Sequence, residues 1–371
     1  MATLQVNWRQ SWRLITGVII SLMVIGVMIE GVLHAASLPD DFPPPSIGTN
    51  YQRFEVQLAR LDHFAETHNG VDCIFIGSSL VEKGIDPVYF GEVYQAETGS
   101  TSAPNCFNFG LGSISTSTLG VVVDLLIKMY EPDLFVIGTQ ARAYNEPQML
   151  NRTYYVYAAE HTLPDNAWLR YQRGDANVTG WLIEHSELYQ TILTTRLLLQ
   201  RDGRGYAFES LAQELDSTTT GHVKLSGSLL DVSQPINYDD PHTEDERLMD
   251  FLQTYIVADN DLKGLQGVVE LHNQPTQILI VEMPVHHTYT GYFLEGEDRY
   301  DWFVDAVTQT VAGSDVMFWR TVPDFANSLP DSAWYDRYHM NSQGAVTFTA
   351  WLAERVATSV ANGNLNPLVD S

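Results

Sequence analysis

The feature that most constrains this chain is a repeated pattern. A short apolar run meets an abrupt glycine or polar turn, and a stretch with helical spacing follows. Runs at 72–76, 106–109, 134–137, 277–282 and 316–319 read as strands. Segments at 51–68, 117–130 and 345–361 carry apolar residues at helical spacing, with Phe54, Leu58, Leu61 and Phe64 on one side of the first. Apolar strands alternating with helices predict an α/β fold with a parallel sheet covered on both faces. The 371 residues suffice for one large α/β domain with an insertion, or for two domains.

Residues 144–240 interrupt the rhythm. They are rich in aromatics, including Tyr154, Tyr155, Tyr157, Trp168, Tyr171 and Trp181. Within them 186–200 looks helical, and 226–238 is polar and reads as loop. The region reads as an insertion over the sheet's carboxyl edge, either a lid or substrate wall, or an elaboration without ligand contact. Residues 243–273 return as one or two helices before the fourth strand.

At the N-terminus Trp8, Arg9, Trp12 and Arg13 precede an apolar run over 14–33, long enough for one bilayer crossing. Glu30 lies near its far end, where the interface can solvate it. Arg9 and Arg13 on the near side, with Asp40 and Asp41 beyond, predict the N-terminus inside and the body outside the cytoplasm. The rival is a signal peptide cut near Ala35-Ala36, but the apolar stretch exceeds the usual core of one. The expected layout is an N-terminal segment and membrane anchor over 1–36, a Pro-rich linker over 37–50, and an α/β domain over 51–371.

The net charge of −26, from 46 acidic and 20 basic residues, argues against nucleic acid as a partner and against charge-driven docking to anionic lipid. The acidic residues are spread out and read as a solvated surface. Cys73 and Cys106 each stand four residues before a strand-ending glycine, Gly77 and Gly110. If those strands are neighbours, a bridge is within reach, and an outside compartment permits one. Two buried thiols that simply pack are the simpler expectation.

The chemistry-bearing residues fall at strand ends, where open α/β sheets bind ligands. Gly77-Ser78-Ser79-Leu80 follows the first strand. Asn108-Phe109-Gly110-Leu111-Gly112-Ser113 follows the second, and Gly138-Thr139-Gln140-Ala141-Arg142 the third. Asp336 precedes His339 by three residues after the fifth. A serine, a histidine base and an acid to orient it form a nucleophilic constellation recognised by role, not by chain order. Ser79 is the expected nucleophile and Ser78 the alternative. Taken singly, the serines could equally be a helix N-cap, and Asp336 a surface acid. His286-His287 follows the fourth strand, where a substrate contact is conceivable. No cysteine cluster, helical His pair or acidic calcium loop supports a metal, and no glycine-rich phosphate loop supports a nucleotide, so no cofactor is expected.

On these motifs, over about 72–361 without the insertion, the chain resembles the SGNH, or GDSL-type, hydrolase superfamily. Gly77-Ser78-Ser79-Leu80 stands in the place of its Gly-Asp-Ser-Leu turn, and Asp336 and His339 in its Asp-x-x-His loop. The Gly-Ser-Ser form with an anchor resembles the branch that includes cell-envelope acyl-transfer proteins of alginate acetylation and teichoic acid D-alanylation. The resemblance implies a three-layer flavodoxin-like parallel sheet and a triad of Ser79, His339 and Asp336. It places the oxyanion and substrate contacts among Gly110, Gly112, Ser113, Gln140 and Arg142. Two departures stand out: the glycine falls at Gly112 and not at 113, and Gln140 replaces an asparagine. The implied function is an extracytoplasmic, membrane-anchored serine esterase or O-acyltransferase acting on an acylated glycan or small ester. The alternatives are an impaired member that binds glycan or scaffolds a membrane acyltransferase, and a lipid-directed hydrolase with the insertion as lid.

Overall fold

A computed structural model of the chain describes residues 8–35, 49–112, 114, 116–145, 186, 188, 220–228, 251–271 and 275–369. Two compact units divide the chain: residues 1–48 with 164–211, and residues 49–163 with 212–371.

The larger unit is the α/β body. It opens with α2 (Thr49–His68), α1 lying in the smaller unit. Then come β1 (Cys73–Gly77), α3 (Ser79–Gly84), α4 (Pro87–Thr98), β2 (Cys106–Gly110), α5 (Thr116–Tyr130) and β3 (Leu134–Thr139). After the insertion follow α6 (Asp259–Glu270), β4 (Gln277–Glu282), α7 (Glu297–Val311), β5 (Met317–Trp319), α8 (Asp324–Ser328) and α9 (Ser342–Ala361). The five strands form one sheet in the order β2-β1-β3-β4-β5, with every pair parallel. This is the flavodoxin-like order. Right-handed crossovers put the helix leaving β1 and those leaving β2, β3 and β4 on opposite faces. The packing agrees, with α4 against α9 on one side and α5 against α6, then α7, on the other.

The strands are apolar throughout because both faces are covered. Ile74, Phe75, Ile76, Phe107, Phe109, Phe135, Val136, Ile137, Leu279, Ile280 and Val281 are all fully buried. Each such side chain contributes about 1.5–3 kcal/mol on burial. The expected strands are found within a residue or two. The last helix starts earlier than its apolar spacing suggested, because the Asn341 side chain caps it, accepting from the Gln343 and Gly344 N–H groups. Of the expected helical region 243–273, the described part holds α6.

The cysteine expectation is corrected. β1 and β2 are adjacent, Cys73 stands directly opposite Cys106, and their Cα atoms are 4.6 Å apart. The two form a disulfide and no free cysteine remains.

The smaller unit contains α1 (Trp8–Ala35). Its side chains are described at 16–18 and 20–32, where Val18, Leu22, Met23, Val27, Met28 and Val32 are exposed. Among the described residues no helix is long and apolar enough to cross a membrane, so the expected transmembrane helix is not supported by the structure. Glu30 is not merely solvated: its carboxylate accepts the Ser186 hydroxyl at 3.0 Å and the Leu188 N–H at 3.1 Å. The aromatic insertion lies almost wholly outside the described residues. One piece of it, 220–228, returns to the α/β body as a strap. The Asn108 N–H bonds to Thr220 O, the Val223 N–H to Glu82 O, and the Ser342 N–H to Leu225 O.

Candidate active site

β1 ends at Gly77 and the chain turns at once into α3. The strand ends leave no space for side chains there. A Cβ on Gly77 would lie 2.4 Å from Gly138 O, one on Gly110 2.4 Å from Glu82 N, and one on Gly138 2.2 Å from Val81 Cγ2. These three glycines stand in register across β2, β1 and β3. The row lets α3 rest directly on the carboxyl edge of the sheet.

The two serines take different tasks. Ser78 is the N-cap of α3, its Oγ accepting from the Leu80 N–H at 3.4 Å. Ser79 is the first helical residue, and its Oγ lies 2.9 Å from His339 Nε2, across 260 residues of chain. Its own N–H has no acceptor among the described residues.

His339 arrives on a loop that closes on itself. Trp334 and Met340 form an antiparallel bridge, and the Tyr335 N–H bonds to His339 O at 2.8 Å. Asn341 adds a tie from its Nδ2 to Ser332 O at 2.8 Å. Within this loop Asp336 Oδ2 lies 2.8 Å from His339 Nδ1. Asp336 Oδ1 accepts the N–H groups of Tyr338 at 2.9 Å and His339 at 2.7 Å. A carboxylate only accepts, so Nδ1 carries the ring proton and Nε2 turns a lone pair to the Ser79 hydroxyl.

A cavity of about 160 Å³ opens on this pair, walled also by Ser78, Leu80, Ile114, Gln140, Arg142 and Tyr338. Gln140 is buried at the end of β3. Its Oε1 accepts the Arg142 N–H and the Tyr289 hydroxyl, each at 3.0 Å. A backbone N–H can only donate, so this atom is the oxygen and the amide NH₂ is the other end. Burial pushes the Tyr289 phenol well above its ordinary value of 10.0, keeping it a donor. The Gln140 NH₂ has no acceptor among the described residues.

Arg142 lines the cavity with its guanidinium 5.6 Å from the Tyr338 ring centroid and 5.6 Å from that of Phe251. The two glycine candidates do not line this cavity. The Gly110 N–H is taken by Asn108 Oδ1 at 2.9 Å, its carbonyl accepts from Gln57 Nε2 at 3.2 Å, and α3 covers it. Gly112 is buried in the following turn and does not line the cavity. Ser113 lies outside the described residues. Sequence reasoning missed Tyr289, which orients Gln140, and Tyr338, which flanks His339. Tyr338 had a signal in its place beside the histidine. Tyr289 had none, because its role depends on a contact 149 residues away.

His286 is buried beyond β4, with His287 exposed beside it; neither lines the cavity, so the conceivable substrate contact is not found there. No protein-family model, curated protein or solved structure matches the chain.

Proposed function

We propose that the chain is a serine esterase or O-acyltransferase of the SGNH type. It acts outside the cytoplasm, tethered to the membrane by the apolar run over 14–33, on acyl esters of cell-surface glycans. The observation that carries the reading is the unbroken relay from Asp336 through His339 to Ser79, at 2.8 and 2.9 Å, opening on a cavity.

In the first step Ser79 Oγ attacks the ester carbonyl while His339 Nε2 takes the hydroxyl proton. The oxyanion that forms is met by two donors without acceptors among the described residues, the Ser79 N–H and the Gln140 NH₂. Collapse of the intermediate breaks the ester C–O bond, and His339 returns its proton to the leaving alcohol. Water or a sugar hydroxyl then attacks the acyl-Ser79 ester, again losing its proton to His339. The products are a free acid or a new ester, with the Ser79 hydroxyl restored. Asp336 holds the ring in the useful tautomer and stabilises the imidazolium.

The setting rests on two further facts. The apolar side chains described on α1 are exposed, as on a helix whose apolar surface is taken up elsewhere. The Cys73–Cys106 disulfide suits an oxidising compartment.

The test compares wild type with Ser79→Ala, His339→Ala and Ser78→Ala, using p-nitrophenyl acetate and a fluorophosphonate probe. Turnover and labelling are expected in wild type and Ser78→Ala and absent in the other two. No labelling of folded wild type would overturn the reading in favour of a glycan-binding or scaffold protein.

A further inference from the structure

Beyond β4 the chain places two imidazoles and a carboxylate together, none of them lining the catalytic cavity. The ligand atoms of His286, His287 and Asp331 lie within 4.8 Å of one another. We propose that these three side chains bind a divalent transition-metal cation of the zinc class.

The donor set is the first argument. Two imidazole nitrogens and one carboxylate oxygen suit Zn²⁺ or Co²⁺, whereas Mg²⁺ and Ca²⁺ favour all-oxygen sites. Spacing is the second. Bonds of about 2.0–2.1 Å at tetrahedral angles put neighbouring ligand atoms about 3.3 Å apart. His286 Nε2 and Asp331 Oδ1 already stand 3.1 Å apart. His287 is exposed and packs its ring 4.1 Å, centroid to centroid, from that of His286. A small rotation of this exposed side chain completes the set.

Support behind the ligands is the third. Metal-bound histidines have the second ring nitrogen held by a hydrogen-bond partner. His286 Nδ1 lies 2.8 Å from Thr288 Oγ1, and that hydroxyl is fixed in turn by Arg337 Nη1 at 2.7 Å. With Nε2 on the metal, Nδ1 carries the ring proton and donates it to Thr288 Oγ1. The contact from the Thr288 N–H to Nδ1, at 3.3 Å, is the longest in the group and is given up. His286 itself is fixed edge-on to Trp334 at 5.7 Å between centroids. Arg337 brings a second positive charge near the site, which the Asp331 carboxylate offsets as a ligand. Asp331 and His287 are both exposed, which leaves the fourth position to water.

The site would tie two elements together. His286 follows β4, and Asp331 opens the short 3-10 turn Asp331–Ala333 that leads into the Asp336–His339 loop. The His286 N–H also bonds to Arg337 O at 3.0 Å, inside that loop. Occupancy would therefore stiffen the segment that carries the relay without touching the reacting atoms.

The experiment uses the full chain in detergent, stripped with a chelator, with Co²⁺ as a spectroscopic probe and Zn²⁺ titrated by calorimetry. One equivalent of Co²⁺ with a tetrahedral absorption signature, displaced by one equivalent of Zn²⁺, is expected. His287→Ala and Asp331→Asn should each weaken Zn²⁺ more than about 100-fold, since loss of an outer-shell partner alone costs about 10–100-fold. Thr288→Val should fall within that smaller range. Both main substitutions are at exposed positions, so the fold is expected to survive; the buried His286 is left intact. Wild type that binds no stoichiometric metal overturns the proposal. So does binding unchanged in both variants, which would mean adventitious metal on an acidic surface only.

Discussion

Ser78 and Ser79 are adjacent, yet one caps a helix and the other meets a histidine. The substitutions should separate accordingly. Ser78→Ala loses a cap and should cost about 0.5–2 kcal/mol of stability, read by urea unfolding, with probe labelling retained. Asp336→Asn preserves shape but removes the acceptor that fixes the His339 tautomer. Esterase turnover should fall about 10⁴-fold, with little change in the unfolding midpoint. Gln140 offers a sharper test of the oxyanion donors. Gln140→Ala should lower kcat about 10²–10³-fold with KM little changed. Gln140→Glu should do no better, because an acceptor would then face the developing negative charge. The Asp-x-x-His spacing made the acid–base pair legible in the sequence, since three residues of loop can fold a carboxylate back onto the imidazole. The orientation of Gln140 was not legible, because it is set by Arg142 and by a distant tyrosine hydroxyl.

At the level of elements, the placement of Ser79 depends on how closely α3 approaches the sheet. A methyl group on Gly110 would stand 2.4 Å from Glu82 N and 2.5 Å from Glu82 Cα, both backbone atoms. Gly110→Ala must therefore push α3 outward. The expected cost is about 1–3 kcal/mol in unfolding free energy. A displaced serine should also slow fluorophosphonate labelling of the folded variant by about 10²-fold. Unchanged labelling would show that the helix tolerates the shift. The strap over 220–228 is a second element that the sequence does not reveal, since only its end at 226–228 falls in the stretch that reads as loop, and its hydrogen bonds go to residues more than 80 positions away in either direction. Its anchor is His222 Nδ1, 3.4 Å from Asp86 Oδ2. The hydrogen bond from His222, more than any other contact, holds the Asp86 carboxyl below its ordinary 3.8. A carboxylate lowered in the folded state adds stability that is complete above the unfolded value and is lost as pH falls through the folded one. Amide exchange across 220–228 should therefore quicken only below about pH 3.8. Asp86→Asn should remove that step.

The whole molecule adds constraints that no single site carries. Alternating apolar runs made the parallel sheet legible, yet strand order came only from tertiary packing. That order is why the cysteines read as separate buried thiols in the sequence and are joined in the structure, since only adjacency of β1 and β2 puts them face to face. The disulfide closes a loop of 33 residues, and its loss should cost about 3–4 kcal/mol in the chain-entropy account. Reductant should lower the urea midpoint of wild type and leave Cys73→Ala/Cys106→Ala unaffected. The same bond bears on the proposed location, because it suits an oxidising compartment. The proposed anchor over the apolar run 14–33 bears on it independently. Together they predict that the chain stays with membranes through an alkaline carbonate wash. Protease added outside intact cells should digest the body and spare the basic N-terminal flank. Replacing three apolar residues of the run with Asp should release the chain from the membrane fraction, at a cost of about 2.5–3.5 kcal/mol for each charge at the helix centre. Release of the unaltered chain by the wash would separate the esterase reading from the anchored one, because Ser79, His339 and Asp336 owe nothing to the run.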